Sequence, residues 1–353
     1  MTPDAPDLAD FGWTPYWQAQ LDPEDLAILQ PVRVMAVHRG GLAVAGPGID
    51  RRIPSFSDAP DDAEASATVG DWLLLDRATG RAVRRLARNS LFKRRAPGTS
   101  RDVQLIAANV DTLFVVSSCN QDFNVARLER YLALARDAGA TPVVVLTKAD
   151  LSDAPGDYAA RAGRLLPGLL VEAVDARDAA SMACLAAWCG PGQTVALLGS
   201  SGVGKSTLVN TLIGADLQAT RAIRADDDKG RHTTSARSLH RLPAGGWLLD
   251  TPGMRELQLT GVQAGLDDVF ADVAALAGQC RFADCRHGTE PGCAVQAAIA
   301  GGKLDPARLA RQRKLVAEDA RNTESLAERR ARGRAFARMA RGVMRDKRRR
   351  EDG

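Results

Sequence analysis

The chain has 353 residues, of which 45% are hydrophobic and 25% are charged, and its 47 Lys and Arg against 43 Asp and Glu give a formal net charge of +4. This length predicts two or three domains and excludes a single small module, while the composition excludes a wholly disordered or fibrous chain. No apolar run reaches the roughly 18 residues that a membrane span needs, and the acidic, proline-containing first residues are unlike a secretory signal. We therefore expect a cytoplasmic protein that does not bind membranes.

The charge is unevenly distributed along the chain. Residues 303–353 contain 17 Lys and Arg against 8 Asp and Glu, which gives this segment +9 and leaves −5 for the rest of the chain. Positive charge of this density is typical of a surface that faces nucleic acid, an anionic membrane or simply water.

The N-terminal part divides into two regions by composition. No Lys or Arg precedes Arg33, and acids and prolines dominate the start, so we expect residues 1–30 to be a flexible acidic lead. Short β-like runs separated by Gly turns follow over residues 31–98, which predicts a small β-barrel. The stretch from Arg81 to Arg101 holds eight Lys and Arg and no acid, and so forms a second basic patch.

From residue 99 to residue 262 the pattern changes to strands that alternate with helices. This alternation predicts an α/β domain with a parallel sheet and helices on both faces. Buried strands are predicted at 110–116, 142–146, 169–174 and 194–198, and an amphipathic helix at 125–138.

The second of these strands leads into Thr147-Lys148-Ala149-Asp150. GTPases recognise guanine with N-K-x-D, in which the Asp accepts from two guanine N–H groups and the Lys stem covers the ring. Thr147 replaces the usual Asn, which removes an amide that braces the loop, so we expect weaker affinity but a retained guanine preference. The segment usually written S-A is present only as Val174-Asp175-Ala176, a further departure.

The segment from Gly199 to Ser206 fits G-x-x-x-x-G-K-[ST], directly after a predicted strand and at the start of a helical run. In such a loop the backbone amides converge on phosphate oxygens, Lys205 reaches the outer phosphates and the Ser206 hydroxyl ligates Mg²⁺. The GTP-binding residues predicted from the two motifs are Thr147, Lys148, Ala149, Asp150, Gly199, Ser200, Ser201, Gly202, Val203, Gly204, Lys205, Ser206 and Thr207.

A third motif lies about fifty residues downstream, where an apolar strand delivers Asp250 and Gly253 follows. In nucleotide triphosphatases such an Asp holds Mg²⁺ through water and the Gly amide meets the γ-phosphate, so both are assigned to the GTP site. Residues 229–234 stand in the position of a mobile switch whose Thr234 would close over Mg²⁺. The predicted magnesium ligands are Ser206, Thr234 and Asp250.

The base motif precedes the phosphate loop, the reverse of the usual order, which predicts a circularly permuted GTPase domain. Met254 occupies the position of the Gln that orients the attacking water in Ras-like enzymes, so intrinsic hydrolysis should be slow. His232 is the nearest replacement, since a neutral imidazole can orient or deprotonate water, although a switch His can equally contact a partner. The predicted catalytic residues are His232, Lys205 and Thr234.

A Cys/His cluster follows in the predicted helical region 263–328. Cys280, Cys285, His287 and Cys293 give C-x4-C-x-H-x5-C, a ligand set that matches one structural, tetrahedral Zn²⁺ with no open position for catalysis. Disulfides are the alternative, and a reducing cytoplasm disfavours them. The Arg-rich tail at 329–353 is either a disordered RNA-binding arm or a solvated helix.

Several further segments accompany these motifs. They are Val69-Gly70-Asp71-Trp72, Ile106 to Asp111, Asp122-Phe123-Asn124, Arg127 to Leu132 and Gly230 to Thr234. Together with the permuted motif order and the Cys/His spacing, they resemble the RsgA (YjeQ) family of bacterial GTPases. The resemblance implies an N-terminal OB-fold, a permuted GTPase domain and a C-terminal zinc domain, which bind ribosomal RNA late in small-subunit assembly.

The resemblance also implies an activity and partners. We expect an enzyme that hydrolyses GTP to GDP and phosphate with Mg²⁺, is stimulated by the small ribosomal subunit and its rRNA, and is monomeric. One alternative is a non-hydrolysing rRNA clamp with a degenerate nucleotide site, and another is an ATP-using kinase or ATPase.

Overall fold

The computed structural model describes residues 7–95, 103–214, 237–250, 254 and 257–323. Its first elements are a 3-10 helix at Ala9–Phe11, α1 at Pro15–Gln18 and α2 at Pro23–Ile28. The side chains of Phe11 and Trp17 are buried, and the Trp247 indole N–H donates to the Asp10 carbonyl at 2.8 Å. Within the region 1–30 that the sequence predicts to be a flexible lead, residues 7–28 thus contain short helices whose buried aromatic side chains pack against the rest of the protein.

Five antiparallel strands follow in the order β3-β2-β1-β4-β5. A register shift between Val34 and Ala36 bends β1. Residues 29–33 of β1 pair with β4, and Ala36 and Val37 pair with a strand of the parallel sheet described below. Alternate side chains such as Val32, Val34 and Leu73 form a separate core inside these strands. The strands are β1 Leu29–His38, β2 Gly41–Gly46, β3 Ile49–Ile53, β4 Trp72–Asp76 and β5 Ala82–Arg85.

The central part of the chain alternates strands and helices, as the sequence predicts. Strands β10-β9-β8-β11-β13 are parallel, and β12 adds to β13 in the antiparallel sense. Successive residues of β8 enter different cores, Leu113 on one face and Phe114 on the other, which accounts for its continuous apolar run. The elements are β6 Leu91–Arg95, β7 Val103–Ala108, β8 Thr112–Ser118, α3 Val125–Asp137, β9 Thr141–Thr147, α4 Pro155–Gly163, β10 Leu170–Ala173, β11 Thr194–Gly199, α5 Lys205–Ile213, β12 Arg237–Arg241 and β13 Trp247–Asp250.

The last described part is helical. It contains α6 Gln263–Val269, α7 Ala271–Ala277, α8 Ala294–Ala300 and α9 Pro306–Thr323. Helix α6 crosses α3 so closely that a Cβ at Gly265 would lie 2.1 Å from the Ala133 carbonyl oxygen. Gly265 therefore sets the distance between these helices. Among the helices described here, none is both long and apolar enough to cross a membrane.

The N-terminal junction joins the first five strands to the parallel sheet. Ala36 and Val37 of β1 pair with Ser238 and Arg237 of β12, which makes one continuous sheet. Beside it, the buried Arg33 donates to the Phe11 carbonyl at 2.6 Å, the Thr194 hydroxyl at 2.7 Å and the Asn109 carbonyl at 3.2 Å.

The charge of Arg33 is held at this junction in spite of its burial. Burial lowers the pKa of Arg33 to about 10, and the carboxylates of Asp111 and Asp71 oppose that shift. The guanidinium therefore stays protonated at neutral pH and can donate a hydrogen bond to each of its three acceptors.

The C-terminal junction joins α3 to α7 and α9 through charged side chains. The Glu129 carboxylate, with no exposed side-chain surface, accepts from Arg311 Nε at 2.7 Å and from Arg308 Nη1 at 3.1 Å. Arg308 Nε also lies 2.6 Å from Asp272, and Arg130 lies 2.5 Å from Glu318 nearer the surface. Burial raises the pKa of Glu129, and the two guanidinium groups act in the opposite direction.

Candidate functional site

The two predicted nucleotide motifs lie at one edge of the parallel sheet. Thr147 ends β9 and Gly199 ends β11, and both strands run parallel to β8 between them. The carboxyl ends of parallel strands form the usual ligand crevice of such sheets. The sheet therefore brings together the predicted base-recognition loop, residues 147–150, and the predicted phosphate loop, residues 199–206, which lie about fifty residues apart in the chain.

The phosphate loop wraps as its sequence predicts. Gly202 and Gly204 adopt φ values of 80° and 91°, which glycine tolerates best, and Gly204 caps the start of α5. Lys205, the first residue of this nine-residue helix, donates its ammonium to the Ser200 carbonyl across the loop. Free amides at a helix start and a lysine over the loop are suited to bind an anion such as a phosphate.

Arg127 adds a second cation to this loop. It lies in the first turn of α3, where the Asn124 side chain caps the helix by accepting from the Arg127 amide at 3.0 Å. Its Nη1 donates to the Ser200 hydroxyl at 2.7 Å. The sequence analysis did not assign Arg127 to the site, because helical periodicity identifies only the buried face of α3.

Thr147 links the base-recognition loop to the phosphate loop. Its buried hydroxyl lies 2.5 Å from the Val203 carbonyl and 3.1 Å from the Ser117 carbonyl, and its own carbonyl accepts from the Cys119 amide. A hydroxyl has one proton, so it donates to one carbonyl at a time. The bracing that we expected to be lost with the usual Asn is thus supplied by a threonine.

Lys148 and Asp150 follow in a tight turn. Lys148 has a φ of 58°, and Asp150 lies in a 3-10 helix at Ala149–Leu151. The Asp150 carboxylate is 2.6 Å from Arg177, which also contacts Asp175 at 3.2 Å. Arg177 was not among the predicted site residues, and the replacement of a serine by Asp175 was the one sign in the sequence of a changed charge beside Asp150.

The remaining predicted nucleotide ligands are less fully described. The pairing of Leu249 with Ala196 brings the backbone of Asp250 to the same sheet edge, whereas the Asp250 side chain, Gly253, His232 and Thr234 lie outside the described residues. Met254 is described and its side chain is 2% exposed within the main core. A buried thioether at this position cannot orient an attacking water, and slow intrinsic hydrolysis stays a prediction.

The four predicted zinc ligands meet in one cluster between α7 and α8. One donor atom from each of Cys280, Cys285, His287 and Cys293 lies within 4.8 Å of all the others. Cys280 Sγ is 3.9 Å from Cys293 Sγ and 3.5 Å from His287 Nδ1. Tetrahedral coordination with Zn–S bonds of about 2.3 Å would place two sulfurs about 3.8 Å apart, so the donor set fits a metal ion.

Backbone amides at the start of α8 favour thiolates in this cluster. The Gln296 amide donates to Cys293 Sγ at 3.4 Å, and the His287 amide donates to Cys285 Sγ at 3.4 Å. Partial desolvation acts to raise the pKa of Cys280, but hydrogen bonds from the Val295 and Ala294 amides and neighbouring thiols bring it below its usual value. For Cys285 the His287 amide acts to lower the pKa, but partial desolvation and the neighbouring Cys293 and Cys280 raise it to about 11. Thiolates are the form that ligates metal, so without a metal the surroundings favour the ligating form at Cys280 and not at Cys285.

The chain is similar to known proteins over nearly its whole length. A family model described as RsgA GTPase matches residues 85–260. The small ribosomal subunit biogenesis GTPase RsgA 2 of Vibrio parahaemolyticus is 50% identical over 98% of this chain and 94% of its own length. The small ribosomal subunit biogenesis GTPase RsgA of Mesorhizobium japonicum is 51% identical over 92% of this chain and 93% of its own.

Two solved structures share the fold. YjeQ from Thermotoga maritima has a TM-score of 0.60 at 22% identity and covers 82% of this chain and 97% of its own. YloQ, a circularly permuted GTPase, has a TM-score of 0.58 at 23% identity and covers 84% of this chain and 97% of its own. The order of base motif and phosphate loop here fits that permuted fold. With its phosphate loop, its base-recognition loop and these relatives, the chain belongs to the RsgA family of GTPases.

Proposed function

We propose that this protein is a GTPase of small ribosomal subunit biogenesis, which hydrolyses GTP to GDP and phosphate in response to that subunit. The observation that carries the proposal is the Thr147–Val203 contact, which fixes the guanine-recognition loop against the phosphate loop at one sheet edge. The relatives at about half identity are named for the same role, and the intact Lys205 and Ser206 argue against a degenerate site.

In the proposed reaction, Asp150 accepts hydrogen bonds from guanine N–H groups. The loop amides donate hydrogen bonds to the phosphates, and Lys205 and Arg127 offset the negative charge of the phosphates. Bound Mg²⁺ would offset charge on the outer phosphates, and Ser206, Thr234 and Asp250 are its proposed oxygen ligands. Gly253 meets the γ-phosphate, and His232 orients the attacking water that Met254 cannot orient.

The outer regions are proposed to sense the ribosomal subunit. The region 31–98, with strands β1–β5 of which β1 begins two residues earlier at Leu29, would form an OB-fold. The GTPase domain would occupy 99–262, and the helical region 263–328 would hold one structural Zn²⁺. With the Arg-rich segment 329–353, these regions would hold rRNA through phosphate contacts on both sides of the GTPase domain. We propose a monomer that works in the cytoplasm. Zinc analysis of the purified chain tests the metal, with one ion per chain expected and loss in Cys285→Ser.

GTP turnover by the full chain tests the proposed activity. We expect slow hydrolysis alone and a large rise with purified small subunits, whereas large subunits and ATP serve as negative controls. Lys205→Ala should abolish both rates. Tight binding to small subunits with no stimulated turnover would instead favour the non-hydrolysing clamp.

The role of His232 needs a separate variant. His232→Ala should lower the subunit-stimulated rate about 100-fold or more while leaving GDP affinity unchanged, because general base catalysis contributes about that much. Unchanged stimulated turnover would assign His232 to another role.

A further inference from the structure

The base-recognition edge carries an acid that guanine recognition does not need. Asp150 is the guanine-binding carboxylate, and Asp175 lies beside it at the end of β10. Arg177 Nη2 donates to Asp150 Oδ2 at 2.6 Å and to Asp175 Oδ2 at 3.4 Å. Since both oxygens bond one nitrogen, they can be no farther apart than the sum of these distances, 6.0 Å.

Two carboxylates this close repel each other, and the repulsion acts on the group that must face the base. The Asp150 and Asp175 side chains are only 26% and 24% exposed, so water screens them incompletely. Arg177 is held on Asp175 by three hydrogen bonds. The Arg177 amide and Nε donate to Asp175 Oδ1 at 2.9 and 3.2 Å, and Nη2 donates to Oδ2 at 3.4 Å. These bonds hold the guanidinium between the two acids.

We propose that Arg177 is a positioning residue for guanine binding, which cancels the charge of Asp175 and orients the Asp150 carboxylate toward the base. This inference rests on the proposed GTP site. In this arrangement the positive charge of Arg177 compensates for the negative charge of Asp175, which stands where GTPases commonly carry a serine.

Guanine and Arg177 can occupy Asp150 together. An ionised carboxylate offers about four lone-pair sites on its two oxygens, and Arg177 uses one site on Oδ2. The other sites can accept the two guanine N–H groups. Arg177 is the most exposed member of the trio, at 66%, so its bond to Asp150 can adjust as the base enters.

The test is a titration of the full-length protein with a fluorescent GDP analogue, with the ADP analogue as control. We expect Arg177→Ala to raise the Kd for GDP about three- to tenfold, and Arg177→Lys, which keeps the charge but not the planar fork, to raise it by about half as much or less. Adding Asp175→Ser to Arg177→Ala should restore most of the affinity, because the uncompensated charge is then gone. Arg52→Ala, which removes an exposed arginine of β3 far along the sheet, should have no effect.

Ionic strength gives a readout that a purely structural loss would not move. The defect of Arg177→Ala should shrink between about 50 mM and about 500 mM KCl, because salt screens exposed charges. An Arg177→Ala protein that is folded by circular dichroism and binds GDP as tightly as wild type would overturn the inference. So would a double variant no better than the single one. If wild type does not prefer GDP over ADP, the proposed GTP site itself fails instead.

Discussion

The GTPase sheet is attached to its two neighbours in different ways. The N-terminal junction uses backbone pairing of β1 with β12 and a buried arginine whose acceptors belong to three separate segments. The C-terminal junction relies mainly on charged side chains for its polar contacts with α3, together with the Gly265 amide on Asp137, and its arginines Arg308 and Arg311 remain 12% and 23% exposed. One attachment continues the sheet, and the other lies across a helix.

This difference indicates which of the two junctions can rearrange more easily. Breaking the N-terminal junction leaves buried backbone acceptors without partners, a cost that water cannot relieve. At the C-terminal junction the partly exposed arginines can turn toward solvent, so the cost is concentrated on Glu129 and on the Val269 carbonyl, which accepts from Arg308 at 2.7 Å. Helix α3 also carries Arg127 on the phosphate loop, two residues before Glu129. We therefore expect the C-terminal helices to move relative to the sheet more readily than the N-terminal strands do.

The largest expected effect breaks the N-terminal junction. Arg33→Met should lower the free energy of unfolding by about 3–5 kcal/mol, because it removes a buried cation and strands its acceptors. Urea denaturation followed by tryptophan fluorescence measures this change. Arg51→Met is the control, since this exposed β3 arginine bonds the Gly80 carbonyl at the surface and should cost about 0.5 kcal/mol or less. Equal costs for the two variants would contradict the role of Arg33.

A smaller effect is expected from the C-terminal junction. Glu129→Ala should cost about 2–3 kcal/mol, because two partly buried arginines lose their shared acceptor but regain some water. Hydrogen exchange should rise in α9 and stay unchanged in β1. Faster exchange in both elements would mean that the junctions do not act separately.

The charge of Glu129 contributes less than its hydrogen bonds. Burial raises the pKa of Glu129 above its ordinary 4.5, so the folded state holds this proton more tightly than the unfolded state does. The resulting stability is present below pH 4.5 and is lost as pH rises through the folded value. Glu129→Gln keeps one acceptor oxygen but turns an NH₂ donor toward the second arginine, so it should cost about 1–2 kcal/mol at neutral pH, less than Glu129→Ala, and lack this pH dependence. Stability curves of the two proteins between pH 4 and pH 8 provide the measurement.

The smallest effect is expected at the rim of the same junction. Arg130→Ala breaks an ion pair with Glu318 whose side chains are 25% and 23% exposed, and it should cost about 0.2–1 kcal/mol. The loss should fall further in high salt. Thermal melts at low and high ionic strength would show it, and a salt-independent loss would argue that packing of the arginine stem is responsible instead.

Elements with a periodic apolar pattern and sites with a known motif can be predicted from the sequence. The apolar runs predict every strand of the parallel sheet except the short antiparallel β12, and the Cys/His spacing predicts a cluster whose donors do meet. The sequence does not predict contacts that depend on tertiary geometry. Arg33 and Glu129 are single charged residues in ordinary patterns, and only the fold reveals that their partners come from distant segments. The buried N-terminal aromatics were missed for the same reason.

The pairing of β1 with β12 also bears on aggregation. Strand β12 has β13 on one side and the end of β1 on the other, so part of the sheet edge is capped by a strand from the N-terminal region. Exposed strand edges are templates for pairing between molecules. A GTPase region produced without residues 29–95 would leave the β1-facing backbone groups of β12 unpaired where Arg237 and Ser238 now pair with β1. We therefore expect such a fragment to aggregate more readily than the full chain.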